Sequence, residues 1–377
     1  MRVAIAHPSP DLYGSDRQLL ESVSALTGRG DDVTVLLPRG GPLAALLDER
    51  GANVRTADFP VLRKALLRPT RLPGLLWANA TATVRAARWL RRERPDALYV
   101  NTVTIPLWQL AGRLARVPVL VHVHEAEDGG RVVATALMLP LLLARAVVTN
   151  SQAAADVVVG AVPRLSSRTR VVYNGVPGPP AEPSDEQHGA AAPWRLAVVG
   201  RLSPRKGSDI ALEAVALLAA HGRDVRLTVA GTVFDGYEWY EDQLRSRAAE
   251  PDLAGRVTFA GYVHPTWELL ADSDVVLVPS RVEPFGNTAV EAMLARRALV
   301  ASRTQGLVEV VRDGETGVLV EPDDARALAD AIARLLDDDA LRARLARQGE
   351  ADAHARFSVG RYAEKIAAAV DAAAGPQ

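Results

Sequence analysis

Short apolar runs and longer amphipathic stretches alternate along this chain. Residues 3–6, 33–37, 54–56, 97–101, 119–124 and 146–150 are apolar runs bounded by polar residues or proline, the pattern of strands buried on both faces. VVYNGV, residues 171–176, reads as a seventh strand running into a turn. Helical spacings lie between the runs. Leu19, Leu20, Val23 and Leu26 form one stripe, with Ser15 as its N-cap and Gln18 completing a capping box. Residues 42–50 predict the next helix. PGPPAEPSDEQHGAAAP, residues 177–193, then holds five prolines and reads as a linker. After it the pattern restarts, with strands at 195–199, 225–230, 257–260, 275–278, 299–302 and 317–320. A helix is expected at 210–220, and another begins in the acidic, aromatic stretch 235–242. From Arg326 onward only helices are expected, the last at about 360–374. The class is α/β, built from two doubly wound halves. The expected division is 1–176, a linker at 177–193, a second domain at 194–357, and a helix in 358–377 that crosses back to the first domain.

A length of 377 residues fits two cores better than one. With no cysteine, disulfides, thiolate metal sites and cysteine nucleophiles are excluded. The start, MRVAIAHPSP, shows no signal peptide, so the cytoplasm is the expected location. The longest apolar run, 132–144, is too short to span a bilayer and contains Pro140.

A net charge of −1 hides an asymmetry. Residues 1–180 carry 22 Lys and Arg against 14 Asp and Glu, and the remainder carries 22 against 31. Much of the excess falls in residues 61–94, where Arg63, Lys64, Arg68, Arg71, Arg85, Arg88, Arg91, Arg92 and Arg94 face one acid, Glu93. Leucines, Trp77 and Trp89 are interleaved. That mixture fits a helix on an anionic membrane surface, and it equally fits a solvated arginine-rich face. No nucleic-acid module accompanies it, so nucleic acid is not expected as a partner.

Chemistry concentrates in SRVEPFGNTAVEAML, residues 280–294. Proline breaks the strand before it, and Gly286, Asn287 and Thr288 open a helix. Glu283 precedes Pro284 and so belongs to the loop, while Glu291 lies in an early helical turn. Backbone N–H groups at that helix start make an anion site suited to a diphosphate. Carboxylates on either side of it suit hydroxyl groups. Phosphates in the middle and hydroxyls at both ends describe a nucleotide sugar. Two ordinary acids at a helix start would account for the spacing alone. The loop GRLSPRKG, 200–207, adds Arg201 and Lys206, two cations able to neutralise a diphosphate. It fails the Walker pattern. In the first half, Gly14 and Ser15 could place backbone N–H groups against a phosphate, although a tight turn and an N-cap suffice for Gly14 taken alone. His124 ends a strand and is followed by Glu125, Glu127, Asp128 and two glycines, which favours a site loop. Asp272-x-Asp274 has the spacing of a metal motif but precedes a buried strand, which favours a structural role.

GRLSPRKG (200–207), ADSDVVLVPSRVEPFGNTAVEAM (271–293) and DGETGVLV (313–320), in that order and with YNGV (173–176) upstream, resemble the retaining glycosyltransferases of family 4. The likeness is strong over 171–357 and rests in the first half on topology, the Gly14 loop and His124. It implies a GT-B fold, two Rossmann-like domains facing each other across a cleft. It implies that Arg201 and Lys206 hold the donor diphosphate and that Glu283 meets sugar hydroxyls. The Phe285, Gly286, Asn287 and Thr288 backbone would meet sugar and phosphate, and Glu291 the ribose. Gly14, with Ser15, would reach the phosphate, and His124 the transferred sugar or the acceptor. Glu283, His124, Arg201 and Lys206 are then the catalytic set. The resemblance implies transfer without a metal and no resident cofactor, from a UDP- or GDP-linked donor. The expected acceptor is a lipid-linked glycan of envelope or exopolysaccharide assembly, met at the inner membrane face through residues 61–94. A soluble natural-product acceptor is the rival reading, and a catalytically silent nucleotide-sugar-binding protein the rival class.

Overall fold

The computed structural model describes residues 1–62, 72–125, 131–183, 193–234 and 236–375. Strands β1 (Arg2–Ala6), β2 (Asp32–Leu37), β3 (Asn53–Thr56), β4 (Ala97–Val100), β5 (Val119–Val123), β6 (Ala146–Thr149) and β7 (Thr169–Val171) form one sheet. Its helices are α1 (Gly14–Gly28), α2 (Pro42–Glu49), α3 (Leu72–Glu93), α4 (Leu107–Ala115), α5 (Arg131–Met138) and α6 (Gln152–Ala161). A second sheet holds β8 (Trp194–Val199), β9 (Val225–Ala230), β10 (Val257–Gly261), β11 (Val275–Val278), β12 (Ala298–Ser302) and β13 (Val318–Val320). With it go α7 (Ser208–Ala220), α8 (Glu238–Ala248), α9 (Trp267–Ala271), α10 (Asn287–Leu294), α11 (Leu307–Val310), α12 (Ala325–Asp337) and α13 (Asp339–Phe357). The chain ends in α14 (Val359–Ala374). Two compact units result: Met1–Gly175 joined by the stretch from Val359, and Val176–Ser358.

Every strand pairing is parallel. The first sheet runs β3-β2-β1-β4-β5-β6-β7 and the second β10-β9-β8-β11-β12-β13. Strand order therefore reverses between β1 and β4, and again between β8 and β11. Loops leaving the carboxyl ends at such a reversal diverge and open a binding crevice. Both are Rossmann-like sheets covered on both faces, which is why β4, β5, β11 and β12 are buried at every position. Alternation splits the first unit's core. Val3 and Ile5 face the layer of Leu19, Val23 and Leu47, while Ala4 and Ala6 face that of Leu90, Trp108 and Leu141.

The helix α14 belongs to the first of these layers. Its Tyr362, Ile366 and Val370 are buried beside Leu19 and Val23 of α1. Tyr362 OH bonds Ser22 Oγ at 2.6 Å. Gly175 makes the seat possible, since a Cβ there would lie 2.6 Å from Tyr362 Cβ.

Several expectations are corrected. VVYNGV keeps only Val171 in a strand: β7 is Thr169–Val171, and from Val172 the segment is irregular, with Gly175 packed under α14. Ser15 is not the N-cap. The helix already includes Gly14, and Asp16 accepts the Tyr13 N–H at 2.9 Å. The acidic stretch does begin a helix as expected, at Glu238. Trp89 does not face outward with the arginines of α3. It packs edge-on against Trp108 at 6.5 Å, because Ala82, Ala86, Ala87 and Leu90 turn that face of α3 into the core. Arg63, Lys64, Arg68, Arg71, Glu127, Asp128, Asp235 and residues 184–192 lie outside the described residues. No helix among the described residues is long and apolar enough to cross a membrane.

Candidate active site

In the second unit, β8 and β11 are neighbours, so the loops that follow them share one end of the sheet. The first loop runs through Arg201 and a short 3-10 turn at Pro204–Lys206 into α7. The second runs from Pro279 to Gly286 into α10. They are tied backbone to backbone, Arg281 N donating to Arg205 O at 2.8 Å. Gly207 has φ +68°, and a Cβ on it would stand 1.9 Å from Pro279 O. Only glycine lets the loops approach this closely.

The approach brings Lys206 Nζ to 2.5 Å from Glu283 Oε2. Glu283 is buried, and the same oxygen accepts Ser280 Oγ–H at 3.1 Å. Its backbone is held from the β12 side. Glu283 N donates to Gln305 Oε1 at 3.1 Å, and Glu283 O accepts from Gly306 N at 3.0 Å. The carboxylate is thus fixed before any ligand arrives. Gly286 takes φ +111° and starts α10, whose N-terminus carries the positive end of the helix dipole. Thr288 Oγ1 donates to Val199 O at 3.3 Å, anchoring that helix start to the end of β8. One helical turn on, Glu291 accepts Thr266 Oγ1–H at 3.2 Å. Phe285 is buried and meets Phe357 edge-on at 5.5 Å. The Arg201 guanidinium lies over the Phe234 ring. This end of the sheet offers two cations and a helix N-terminus for phosphate oxygens, and two carboxylates for hydroxyls.

Asp272 and Asp274 are occupied elsewhere. Asp274 accepts the Arg195 N–H at 2.8 Å, and Asp272 pairs with the Arg195 guanidinium, so both brace the start of β8. No group of three or more His, Cys, Asp or Glu among the described residues is placed to hold a metal ion.

In the first unit, the ends of β1, β4 and β5 gather His7, Asn101 and His124. Asp16 on α1 meets His7 Nε2 at 2.8 Å, His7 Nδ1 meets Asn101 Nδ2 at 3.0 Å, and Asn101 Oδ1 meets His124 Nε2 at 2.9 Å. The His122 ring lies 4.0 Å from that of His124, tilted by 37°, and bonds Tyr99 OH at 2.7 Å. Burial pushes the His122 pKa down to about 3. Desolvation, then the neighbouring His122 and His7, holds His124 well below its ordinary value. The Glu125 carboxyl is raised by desolvation, against hydrogen bonds from Thr102 Oγ1 at 2.6 Å and His124 N at 3.0 Å. Gly14 is exposed at the first turn of α1, beside Ser15.

Residues 182–352 match the family model for glycosyl transferases group 1, and residues 13–177 that for Glycosyltransferase Family 4. The chain is 35% identical over 339 residues to the D-inositol 3-phosphate glycosyltransferase of Acidothermus cellulolyticus, covering 85% of this chain and 72% of that one. The chain belongs to the group 1, family 4 glycosyltransferases. A solved structure of Anabaena Alr3699/HepE in complex with UDP and glucose superposes with a TM-score of 0.82 at 25% identity, over 97% of this chain and 98% of that one. The fold is GT-B. The α-D-kanosaminyltransferase of Streptomyces kanamyceticus is 33% identical over 171 residues, 45% of this chain and 43% of that protein's length. The chain therefore spans under half the length of one curated relative and nearly three quarters of another.

Within this glycosyltransferase fold, Arg201, Lys206, Glu283, Phe285, Gly286, Asn287, Thr288 and Glu291 all lie at one end of the second sheet, and Gly14, Ser15 and His124 at one end of the first. Sequence reasoning missed His7, Asp16 and Asn101 in one unit and Ser280, Thr266 and Gln305 in the other. His7 and Asn101 each directly follow a strand, so the strand-end rule that singled out His124 applies to them as well.

Proposed function

We propose that this protein transfers a sugar from a nucleotide-sugar donor to an acceptor hydroxyl with retention at the anomeric carbon. The observation that carries the reading is the Lys206–Glu283 pair beside the N-terminus of α10. Arg201, Lys206 and that N-terminus neutralise the leaving diphosphate, as preorganised charge does best when it needs no reorganisation. Glu283 and Glu291 accept hydroxyl hydrogens of the sugar and the ribose, and the 285–288 backbone meets sugar and phosphate. The family resemblance assigns Gly14 and Ser15 to the phosphate, and His124 to the transferred sugar or the acceptor. The bond from the anomeric carbon to the phosphate oxygen breaks. The acceptor oxygen bonds to that carbon on the same face, and its proton passes to the leaving diphosphate. No metal or resident cofactor is called for. The complex of Anabaena Alr3699/HepE with UDP and glucose supports a UDP-linked donor.

For the acceptor, the reading favours a lipid-linked glycan at an anionic membrane surface. Leu76 and Trp77 of α3 are 68% and 73% exposed, and Arg85, Arg88, Arg91 and Arg92 stand exposed further along that helix. A soluble polyhydroxylated acceptor is the second reading, supported by likeness to the kanosaminyl and inositol-phosphate enzymes. A donor panel tests the core proposal. Purified protein is offered UDP-, GDP-, ADP- and dTDP-sugars, and nucleotide release and thermal shift are read. One productive donor is expected. Failure to bind any of the four would remove the nucleotide-sugar reading.

A further inference from the structure

The buried chain Asp16–His7–Asn101–His124 ends on a residue assigned above to the transferred sugar, yet its first members touch no ligand in that reading. Asp16, His7 and Asn101 are 3%, 0% and 1% exposed. They come from α1, the end of β1 and the end of β4, and the strand order places β1 beside β4. Three successive contacts of 2.8, 3.0 and 2.9 Å link them to His124. Each member has limited chemistry. An aspartate carboxylate only accepts, so His7 Nε2 carries hydrogen. The Asn101 amide nitrogen, which only donates, faces His7 Nδ1, so that nitrogen accepts and carries no hydrogen. An asparagine that spends its N–H on His7 turns its oxygen to His124, so His124 Nε2 is the donor. The remaining nitrogen of His124, Nδ1, is the one with a lone pair.

We propose that Asp16, His7 and Asn101 are positioning residues that lock His124 in its Nε2–H tautomer. His124 thereby presents Nδ1 as a hydrogen-bond acceptor toward a sugar hydroxyl. The polarity originates at Asp16 and is handed across two side chains. The second carboxylate oxygen of Asp16 accepts the Tyr13 N–H at 2.9 Å, so the start of α1 holds this origin in place. Indirect control of a ring by the partner on its other nitrogen is a general device for histidine. Here the control reaches two residues further, through His7 to Asp16. The functional half of the proposal rests on the transferase reading above; the tautomer half does not.

The substitution Asp16→Asn reverses the polarity with little change of shape. The asparagine oxygen keeps the Tyr13 N–H, and its amide nitrogen donates to His7 Nε2. His7 must then carry its hydrogen on Nδ1, Asn101 must turn its amide over, and His124 must become the Nδ1–H tautomer. Imidazole nitrogen spectra of protein labelled with ¹⁵N-histidine read this directly, without donor or acceptor. The wild-type protein is expected to show His7 and His124 both protonated at Nε2, and Asp16→Asn to show both at Nδ1. In an Asn101→Leu background the residue-16 change should no longer reach His124. Wild-type His124 protonated at Nδ1 overturns the proposal on the unmodified protein, whatever the variants do. So does a His124 tautomer that ignores Asp16→Asn. Once a donor is known, Asp16→Asn should lower kcat about tenfold and leave donor KM within about twofold. An inverted tautomer with unchanged kcat would overturn the positioning role. The spectra stand even if no donor is found, so failure of the transferase reading is distinguishable from failure of this one.

Discussion

Lys206 and Glu283, 77 residues apart in sequence, meet at 2.5 Å because β8 and β11 are neighbours at the point where strand order reverses. The pair changes how the carboxylate at the proposed donor site is understood. A lone buried glutamate beside a diphosphate would repel it. One already neutralised by Lys206 does not, and it holds the ammonium in place for phosphate oxygens. Removing one partner leaves the other charge buried with less compensation. Lys206→Ala and Glu283→Gln should each lower transfer by about 10²- to 10³-fold, the usual scale for losing a preorganised charged group. Far-UV and near-UV spectra should keep their wild-type form. Full turnover in either variant would sink the donor-site assignment.

Two glycines in left-handed conformations separate backbone strain from steric conflict. Gly222 has φ +76° with open space where a Cβ would go, whereas Gly207 has φ +68° with Pro279 O at 1.9 Å. Gly222→Ala should cost about 1 kcal/mol from backbone strain alone. Gly207→Ala should cost more than about 2 kcal/mol and should also weaken UDP binding, since relief requires the two site loops to part. Denaturant titration of both variants makes the comparison. Equal losses would mean the loops are not held against one another.

Acid should destabilise the first unit through its buried histidines. His122 has its Nδ1 on Tyr99 OH and its Nε2 without a partner among the described residues, and it faces His124. Its pKa falls from 6.5 to about 3 on folding. Between those values the unfolded chain binds the proton and the fold does not, so stability rises with pH. It is fully present above 6.5 and lost as pH falls toward 3, by about 1.4 kcal/mol per pH unit. The lowered His124 acts in the same sense. His122→Leu should flatten the slope of unfolding free energy over this window, whatever it does to stability at neutral pH. An unchanged slope would show that His122 protonates freely in the fold.

Binding to vesicles tests the exposed face of α3. Leu76→Ser with Trp77→Ser should reduce flotation with anionic liposomes, and neutral liposomes should bind neither protein well. Trp89→Phe should not alter flotation, since that ring packs on Trp108. Absence of wild-type binding to anionic vesicles would leave the soluble acceptor as the remaining reading.

Much of this protein is determined locally and was readable in the chain. Parallel strands covered on both faces are continuous apolar runs, so their places stand out; Leu19, Leu20, Val23 and Leu26 mark α1 equally plainly. The α/β class follows from such runs; the GT-B fold and the glycosyltransferase family were implied by the resemblance that GRLSPRKG and EPFGNTAVE carry, and the family models match it. What the chain could not reveal depends on which strands become neighbours. Sequence distance says nothing of the order β2-β1-β4 or β9-β8-β11, yet that order joins His7 to Asn101 and Lys206 to Glu283. Trp77 and Trp89 look alike in the basic stretch, yet α4 places Trp108 beside Trp89 alone, and VVYNGV keeps only Val171 in its strand where α14 lies on Gly175. The backbone's own preferences are written in short windows of sequence. Pairing, burial and hydrogen-bond polarity between distant side chains are properties of the packed sheet, and only the tertiary structure decides them.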